Sequence, residues 1–192
     1  MSGLPDLIQR TVKLEGFTPI MFDRYPGDNK TQLPPEQKLY YMQDGKTLCI
    51  PAANISSFLS AKNTDSVAKL LGGRGYKHLA SAMLGFLVIE PDRVPLLRNG
   101  KPIVFNRFDN DRDEAAGVSV DRRVARLDKG IPNPKERPVV DLPWEVEFNL
   151  TIIKNDQFEE SFLQEGFRRG GLMYGLGTYR GVFGKFIVKE WN

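Results

Sequence analysis

Trp144-Glu145-Val146-Glu147-Phe148-Asn149-Leu150-Thr151-Ile152 alternates apolar and polar side chains for nine residues without a break. Successive side chains of an extended chain point to opposite faces, so this stretch predicts a strand with one buried face. Asp156 follows as the expected N-cap of a helix in which Phe158, Phe162, Leu163 and Phe167 share one side. A glycine-rich segment comes next, and Val182-Phe183-Gly184-Lys185-Phe186-Ile187-Val188 predicts a closing strand. Strand, helix, glycine loop and strand in this order point to an α+β protein.

Working back toward the N-terminus, Thr11-Val12-Lys13-Leu14-Glu15-Gly16-Phe17 predicts another half-buried strand. Tyr25-Pro26-Gly27-Asp28-Asn29 breaks it into a loop. Asp44-Gly45 between two apolar runs predicts a hairpin over residues 38–50. Asn54 is the expected cap of a helix carrying Ile55, Phe58 and Leu59 on one face. Further helices are expected over Ser66–Leu71 and His78–Met83, then a strand over Gly85–Ile89. From residue 91 to 143 prolines and glycines punctuate short apolar pieces. So long a structureless stretch is rare in one domain, which predicts a hairpin or a projecting arm with a function. The whole chain, 1–192, is expected to form a single domain.

The apolar fraction of 41% and charged fraction of 27% are ordinary for a globular chain. No run of about 18 apolar residues is present. The N-terminal residues carry no secretory pattern, and the single Cys49 leaves no partner for an internal disulfide. A cytoplasmic, reducing compartment is therefore expected. The formal charge of +3 is mild, but its distribution is uneven. Arg122, Arg123, Arg126, Lys129, Lys135 and Arg137 face only Asp128 and Glu136 within one segment. Arg168, Arg169, Arg180, Lys185 and Lys189 face only Glu190 at the C-terminal end. Two basic segments on a nearly neutral body suggest a polyanion-binding surface, although solvated surface charge also accounts for them.

Gly166, Gly170, Gly171, Gly175, Gly177, Gly181 and Gly184 crowd into nineteen residues, interleaved with Arg168, Arg169, Tyr174, Tyr179 and Arg180. Glycine lets a backbone approach a phosphate closely, arginine grips phosphate through two donors, and tyrosine offers a face for a base. No Gly-Lys-Ser/Thr ends the segment, so it is not a nucleotide P-loop. It follows a helix and precedes a strand, the reverse of a dinucleotide fingerprint. No cofactor is implied. A tight, glycine-filled crossing of the sheet remains the plain structural reading.

Three pieces of the chain resemble the RAMP superfamily, the RNA-recognition-motif-like proteins of CRISPR effector complexes. They are Cys49-Ile50-Pro51-Ala52-Ala53-Asn54-Ile55-Ser56-Ser57-Phe58-Leu59, the Trp144–Ile153 strand with its following helix, and the Gly170–Phe186 segment. The resemblance implies a ferredoxin-like, RNA-recognition-motif-like βαββαβ core with an antiparallel sheet, and an inserted thumb-like arm over residues 91–143. It implies a non-catalytic binder of single-stranded nucleic acid, RNA preferred over DNA, that polymerises along the strand in a CRISPR, phage or mobile-element setting. The candidate contacts are Arg168, Arg169, Gly170, Gly171, Tyr174, Gly175, Gly177, Tyr179, Arg180 and Lys185 from the glycine loop. Arg122, Arg123, Arg126 and Arg137 would clamp from the arm, and Arg74 and Lys77 would add a second phosphate contact.

Two other classes stay open. A protein-assembly subunit, such as a virion or complex component, would use the glycine loop to pack against a neighbouring copy. A ribonuclease would need His78, the one histidine, as its general base. Asp109, Asp111, Asp113 and Glu114 alternate like a calcium loop but lack the central glycine and the distant glutamate. Cys49 and His78 are too few for zinc, and Ser56 and Ser57 have no partnered base.

Overall fold

The computed structural model describes residues 6–28, 30–126 and 132–192. In chain order its elements begin with β1 (Leu7–Gly16), β2 (Ile20–Met21), β3 (Cys49–Pro51), α1 (Ala52–Ser60), α2 (Val67–Gly72) and α3 (Tyr76–Phe86). Next come β4 (Leu87–Glu90), β5 (Arg93–Pro95), β6 (Leu97–Arg98), β7 (Lys101–Pro102) and β8 (Arg112–Asp113). The hairpin strands β9 (Val118–Arg126) and β10 (Pro132–Val140) precede β11 (Glu145–Ile153), α4 (Glu160–Met173) and β12 (Phe186–Trp191). The fold is α+β with antiparallel sheets.

The alternating stretch forms β11, the centre of the main sheet, with β1 along one edge and β4 and the short β6 along the other. Beyond β1 lies β12, so the long strands run β12-β1-β11-β4. Val12 and Leu14 of β1, Val146, Phe148, Leu150 and Ile152 of β11 and Phe186 of β12 are buried on one face. They meet Ile55, Phe58 and Leu59 of α1 and Leu163 and Phe167 of α4 in one core. Phe167 sits among Phe58, Phe148, Phe186 and Trp191, with ring centroids 5.6 to 6.5 Å away. Each fully buried ring of this kind contributes about 1.5–3 kcal/mol relative to exposure. Trp144 is fully buried where β11 begins; its indole N–H donates to the Thr18 carbonyl at 2.8 Å, and its ring lies where a Cβ on Gly16 would sit.

Several local expectations are corrected. Helix α1 begins at Ala52 after Pro51, which fixes the entry, so Asn54 lies inside the helix rather than at its cap. Asp156 does not cap α4; the turn before it is held by Asn155, whose Oδ1 accepts from the N–H groups of Gln157 and Phe158. Helix α4 also runs on to Met173, so Gly170 and Gly171 belong to a helix and the glycine loop starts at Tyr174. Helix propensity disfavours glycine by about 1 kcal/mol per residue, yet packing overrides it here. A Cβ on Gly166 would strike Val67, one on Gly170 would meet Phe58 at 2.9 Å, and one on Gly171 would meet the Phe186 carbonyl at 2.7 Å.

The hairpin expected around Asp44-Gly45 is a tight turn with a single bridge between Tyr41 and Leu48. Cys49–Pro51 is drawn away to pair with β5 instead. β9 and β10 pair antiparallel as a long hairpin, flanked by β2 and β8 in a second sheet. Pro132, Pro134 and Pro138 disguise β10 in the sequence. They fall on alternate residues, and the Pro138 carbonyl accepts from Phe22 N–H, so these prolines point their missing donors away from β9. Among the described residues, no helix is long and apolar enough to cross a membrane.

Arg10 ties the sheet to the start of α4. Its guanidinium donates to both Glu160 oxygens at 2.6 and 3.0 Å, and Trp191 Nε1 donates to Glu160 at 2.7 Å. The Arg10 bond, with help from Trp191 and against burial, holds Glu160 below the usual carboxylate range. A depressed folded pKa stabilises the fold above the unfolded value, about 4.3. That stability is lost as pH falls through the folded value. Urea midpoints measured from pH 7 down to pH 3 should therefore fall less steeply for Glu160→Gln than for the parent; parallel curves would contradict this linkage.

Candidate functional site

Residues 174–185 form a loop whose backbone is largely committed to the protein. Gly175 N–H donates to the Gly170 carbonyl, Leu176 to Gly184, Thr178 to Met21, Gly181 to Tyr174 and Gly184 to Pro19, all at 2.8 to 3.1 Å. Gly177 N–H donates to Asn54 Oδ1 at 3.0 Å, joining the loop to α1. Gly177 and Gly184 have φ of 77° and 71°, and a Cβ on either would strike the carbonyl of Met21 or Leu176. These glycines serve close backbone crossing, and Gly170 and Gly171 serve helix packing. The loop therefore offers its side chains, rather than a cradle of free N–H groups.

Those side chains line a cleft of about 630 Å³ between the loop, α1 and the segment before α2. Arg180 occupies it half-buried, its Nη2 donating to Thr64 Oγ1 at 2.7 Å. Burial lowers its pKa from the ordinary guanidinium value, against the opposing pull of Asp65 and Tyr174. No carboxylate lies within ion-pair distance of Arg180 among the described residues. Tyr179 stands exposed at the rim with φ of 52°, a left-handed conformation that non-glycine residues rarely adopt. Phe183 lies 6.0 Å from its ring.

From the other side the β9–β10 hairpin brings Arg123 over both rings, 5.5 Å from Tyr179 and 5.0 Å from Phe183. Such cation–π contacts are worth about 0.5–1 kcal/mol when exposed. Arg123 also pairs with Asp121 at 2.8 Å. Beneath, Phe183 packs with Met21 and Val139, which anchors the hairpin base to the loop. Residues near 123 and near 180 thus meet through one stacked arginine.

Other predicted cations are placed differently. Arg137 pairs with Asp23 at 2.7 Å and is largely buried, and Arg122 pairs with Asp111 and with Glu136. Both brace the hairpin against its surroundings. Arg168 and Arg169 lie on the surface of α4 and share Glu165. Lys185 is half-buried at the loop's end, its N–H donating to Thr18 Oγ1. Arg74 sits on the exposed turn Gly73–Gly75 and Lys77 on α3; no hydrogen bond or ion pair among the described residues ties either to the loop. The side chain of Arg126 lies outside the described residues, as do Asp128 and Lys129.

Thr64 and Asp65 complete the cleft, and Phe183 stands beside Tyr179 at its rim, without having been anticipated. Thr64 meets Arg180 across 116 residues of sequence, so no local pattern marks it. His78 is exposed on α3. In the acidic segment, Asp111 is taken by Arg122, while Asp113 is buried and accepts from Asn106 N–H and Ala116 N–H. Among the described residues, no group of three or more metal-ligating side chains forms. The sheet face opposite the helices presents Lys13, Glu15, Glu145, Glu147, Asn149 and Thr151, and β1 and β11 place no aromatic ring there for a base to stack on.

No protein-family model matches the chain. No curated protein matches it in sequence. Among solved structures it is similar to a chain in the cryo-EM structure of the Type III-B Cmr-beta bound to cognate target RNA, with a TM-score of 0.59 at 11% identity. The two share a fold. The similarity covers 97% of this chain and 60% of that one, so the present chain spans less than two thirds of its neighbour's length.

Asn54→Ala removes the acceptor of the half-buried Gly177 N–H, a loss of about 1–3 kcal/mol. Hydrogen exchange at Gly177 and its neighbours should quicken markedly while β11 amides stay protected. Unchanged exchange would show that Asn54 does not hold the loop.

Proposed function

We propose that the chain is a non-catalytic binder of single-stranded nucleic acid, RNA preferred, with a RAMP-like, ferredoxin-like βαββαβ core. The strand order β12-β1-β11-β4, with α1–α3 before β4 and α4 before β12, supports that core. The neighbour's RNA-bound state supports RNA as the ligand. The observation that carries the binding site is the half-buried Arg180, without an ion pair among the described residues, in a cleft it shares with Tyr179, whose ring stands beside Phe183 under the stacked Arg123. An arginine held in this way gains most from an anionic partner, and phosphate fits its planar fork. The exposed Tyr179 ring supplies a stacking face for a base of either sugar type.

In this reading the strand runs between the glycine loop and the β9–β10 hairpin. Arg168 and Arg169 add longer-range attraction from α4, weakened by their shared Glu165. Arg122 and Arg137, being paired, hold the hairpin in place rather than grip phosphate. Several copies along one strand, as subunits of a larger complex, would give each a short run of nucleotides.

A second reading, a protein-assembly subunit, draws on the exposed Leu172, Met173 and Val182 near the same loop. Oligomers that persist equally after nuclease treatment and in high salt would favour it.

Fluorescence anisotropy with labelled single-stranded RNA, single-stranded DNA and duplex DNA, each at several salt concentrations, tests the first reading. Single strands should bind in a salt-sensitive way, RNA tightest. The double variant Arg123→Ala/Arg180→Ala should weaken RNA binding about tenfold or more. Its log–log salt slope should shrink by about 0.7 for each phosphate that the variant no longer neutralises. Parent-like affinity and slope in the variant would overturn it.

A further inference from the structure

A second cleft, of about 710 Å³, lies away from the glycine loop and uses none of its residues. Its floor is a run of aromatic rings. Phe105 lies 6.3 Å from Tyr41 and 4.8 Å from Phe108, and Phe108 stays half-exposed. Arg24, Lys46 and Arg107 stand around it with exposed side chains, against the single carboxylate of Glu36.

The chain builds this cleft rigidly from three distant segments. Phe105 N–H donates to the Lys46 carbonyl at 3.0 Å and Leu48 N–H to Ile103, so residues 103–105 run beside the Asp44 turn. Asp44 itself closes that turn by accepting from Lys46 N–H and Thr47 N–H. The buried Asp113 accepts from Asn106 N–H at 2.9 Å, fixing the backbone between Phe105 and Phe108. Arg24 N–H donates to the Lys38 carbonyl, and Tyr41 hydroxyl donates to the Glu36 carbonyl at 2.8 Å, which holds the remaining wall.

Three cations share this concavity without an ion pair among the described residues. Arg10, Lys38, Arg112, Arg122 and Arg137 each have a carboxylate partner. Arg24, Lys46 and Arg107 have none among the described residues, yet they converge on one concavity. Three cations against one carboxylate leave net positive charge in the empty cleft, and an anion relieves it. The volume falls within the range of small-molecule sites, and the mix of rings and few polar groups is their usual lining.

We propose that this cleft binds a phosphorylated nucleoside, with its base against Phe108 and Tyr41 and its phosphate among Arg24, Lys46 and Arg107. Guanidinium groups favour phosphate over weaker anions through paired donors, and half-exposed rings favour a flat heterocycle. The Asn106 and Gln37 amides line the same cleft and can meet the polar edge of a base. The inference does not rest on the glycine-loop reading, because the two clefts share no residue.

Isothermal titration calorimetry of the full chain tests it with adenosine 5′-monophosphate, adenosine, inorganic phosphate and a six-nucleotide single-stranded RNA. The nucleotide should bind one to one, about tenfold or more tighter than adenosine or phosphate alone. Arg24→Ala/Arg107→Ala and Phe108→Leu should each weaken it about tenfold or more, with unchanged circular dichroism, while Arg180→Ala leaves it unaltered. Nucleotide binding identifies a free-nucleotide site. Binding of the hexanucleotide alone, abolished in these same two variants, identifies a subsite for one unit of a strand. Phosphate binding as tightly as the nucleotide, binding that survives both variants, or no binding of either nucleotide probe would overturn the proposal. Loss of hexanucleotide binding in Arg123→Ala/Arg180→Ala alone would report on the glycine-loop cleft instead.

Discussion

Helix α4 approaches its neighbours more closely than any side chain at positions 166, 170 and 171 would permit. Val67, Phe58 and the backbone at Phe186 occupy the space where three Cβ atoms would be. This close approach lets Phe167 reach the centre of the sheet. The helix ends at Met173, and Gly175 just beyond it takes the left-handed φ of 75° that carries the chain away. The following loop must then cross the backbone at Met21 and at its own residues 176 and 184, which only further glycines allow. The abundance of glycine at the C-terminal end is thus one packing problem, carried through twenty residues.

The candidate surface follows from that geometry. A loop whose amides are satisfied internally turns its side chains outward, and Arg180, Tyr179 and Phe183 become the chemistry on offer. The hairpin meets them because β10 pairs with β2, and β2 lies under the loop through the Thr178–Met21 hydrogen bond. Ion pairing then sorts the arginines. Arg137 with Asp23 and Arg122 with Asp111 stiffen the scaffold, while Arg123, paired with its near neighbour Asp121, still lies over the Tyr179 and Phe183 rings. Arg180, with no carboxylate in ion-pair distance among the described residues, keeps its charge available for a ligand.

The fold was partly legible in the sequence. Strict alternation marked β11, and the Phe162, Leu163 and Phe167 spacing marked α4, since both patterns follow directly from backbone periodicity. The caps misled: Asn54 and Asp156 have the right chemistry for helix starts, but Pro51 precedes α1 and Glu159 precedes α4, neither with a side-chain cap. Three alternate prolines hid β10, because a strand that bonds on one side tolerates what a central strand cannot. At the candidate site, glycine, arginine and tyrosine in one segment drew attention to a stretch whose glycines serve close packing and backbone crossing rather than a phosphate cradle. Thr64, Asp65 and the cleft around Phe108 are assembled from segments far apart in sequence, and no local periodicity encodes such meetings.

The most direct test of the central claim is photochemical cross-linking of the full chain to 4-thiouridine-substituted single-stranded RNA, with the attached peptides located by mass spectrometry. The account predicts adducts on Tyr179 or Phe183 and on the neighbouring part of β9 around Arg123. Adducts confined to the open sheet face at residues 145–151, or none above an uncross-linked control, would contradict it.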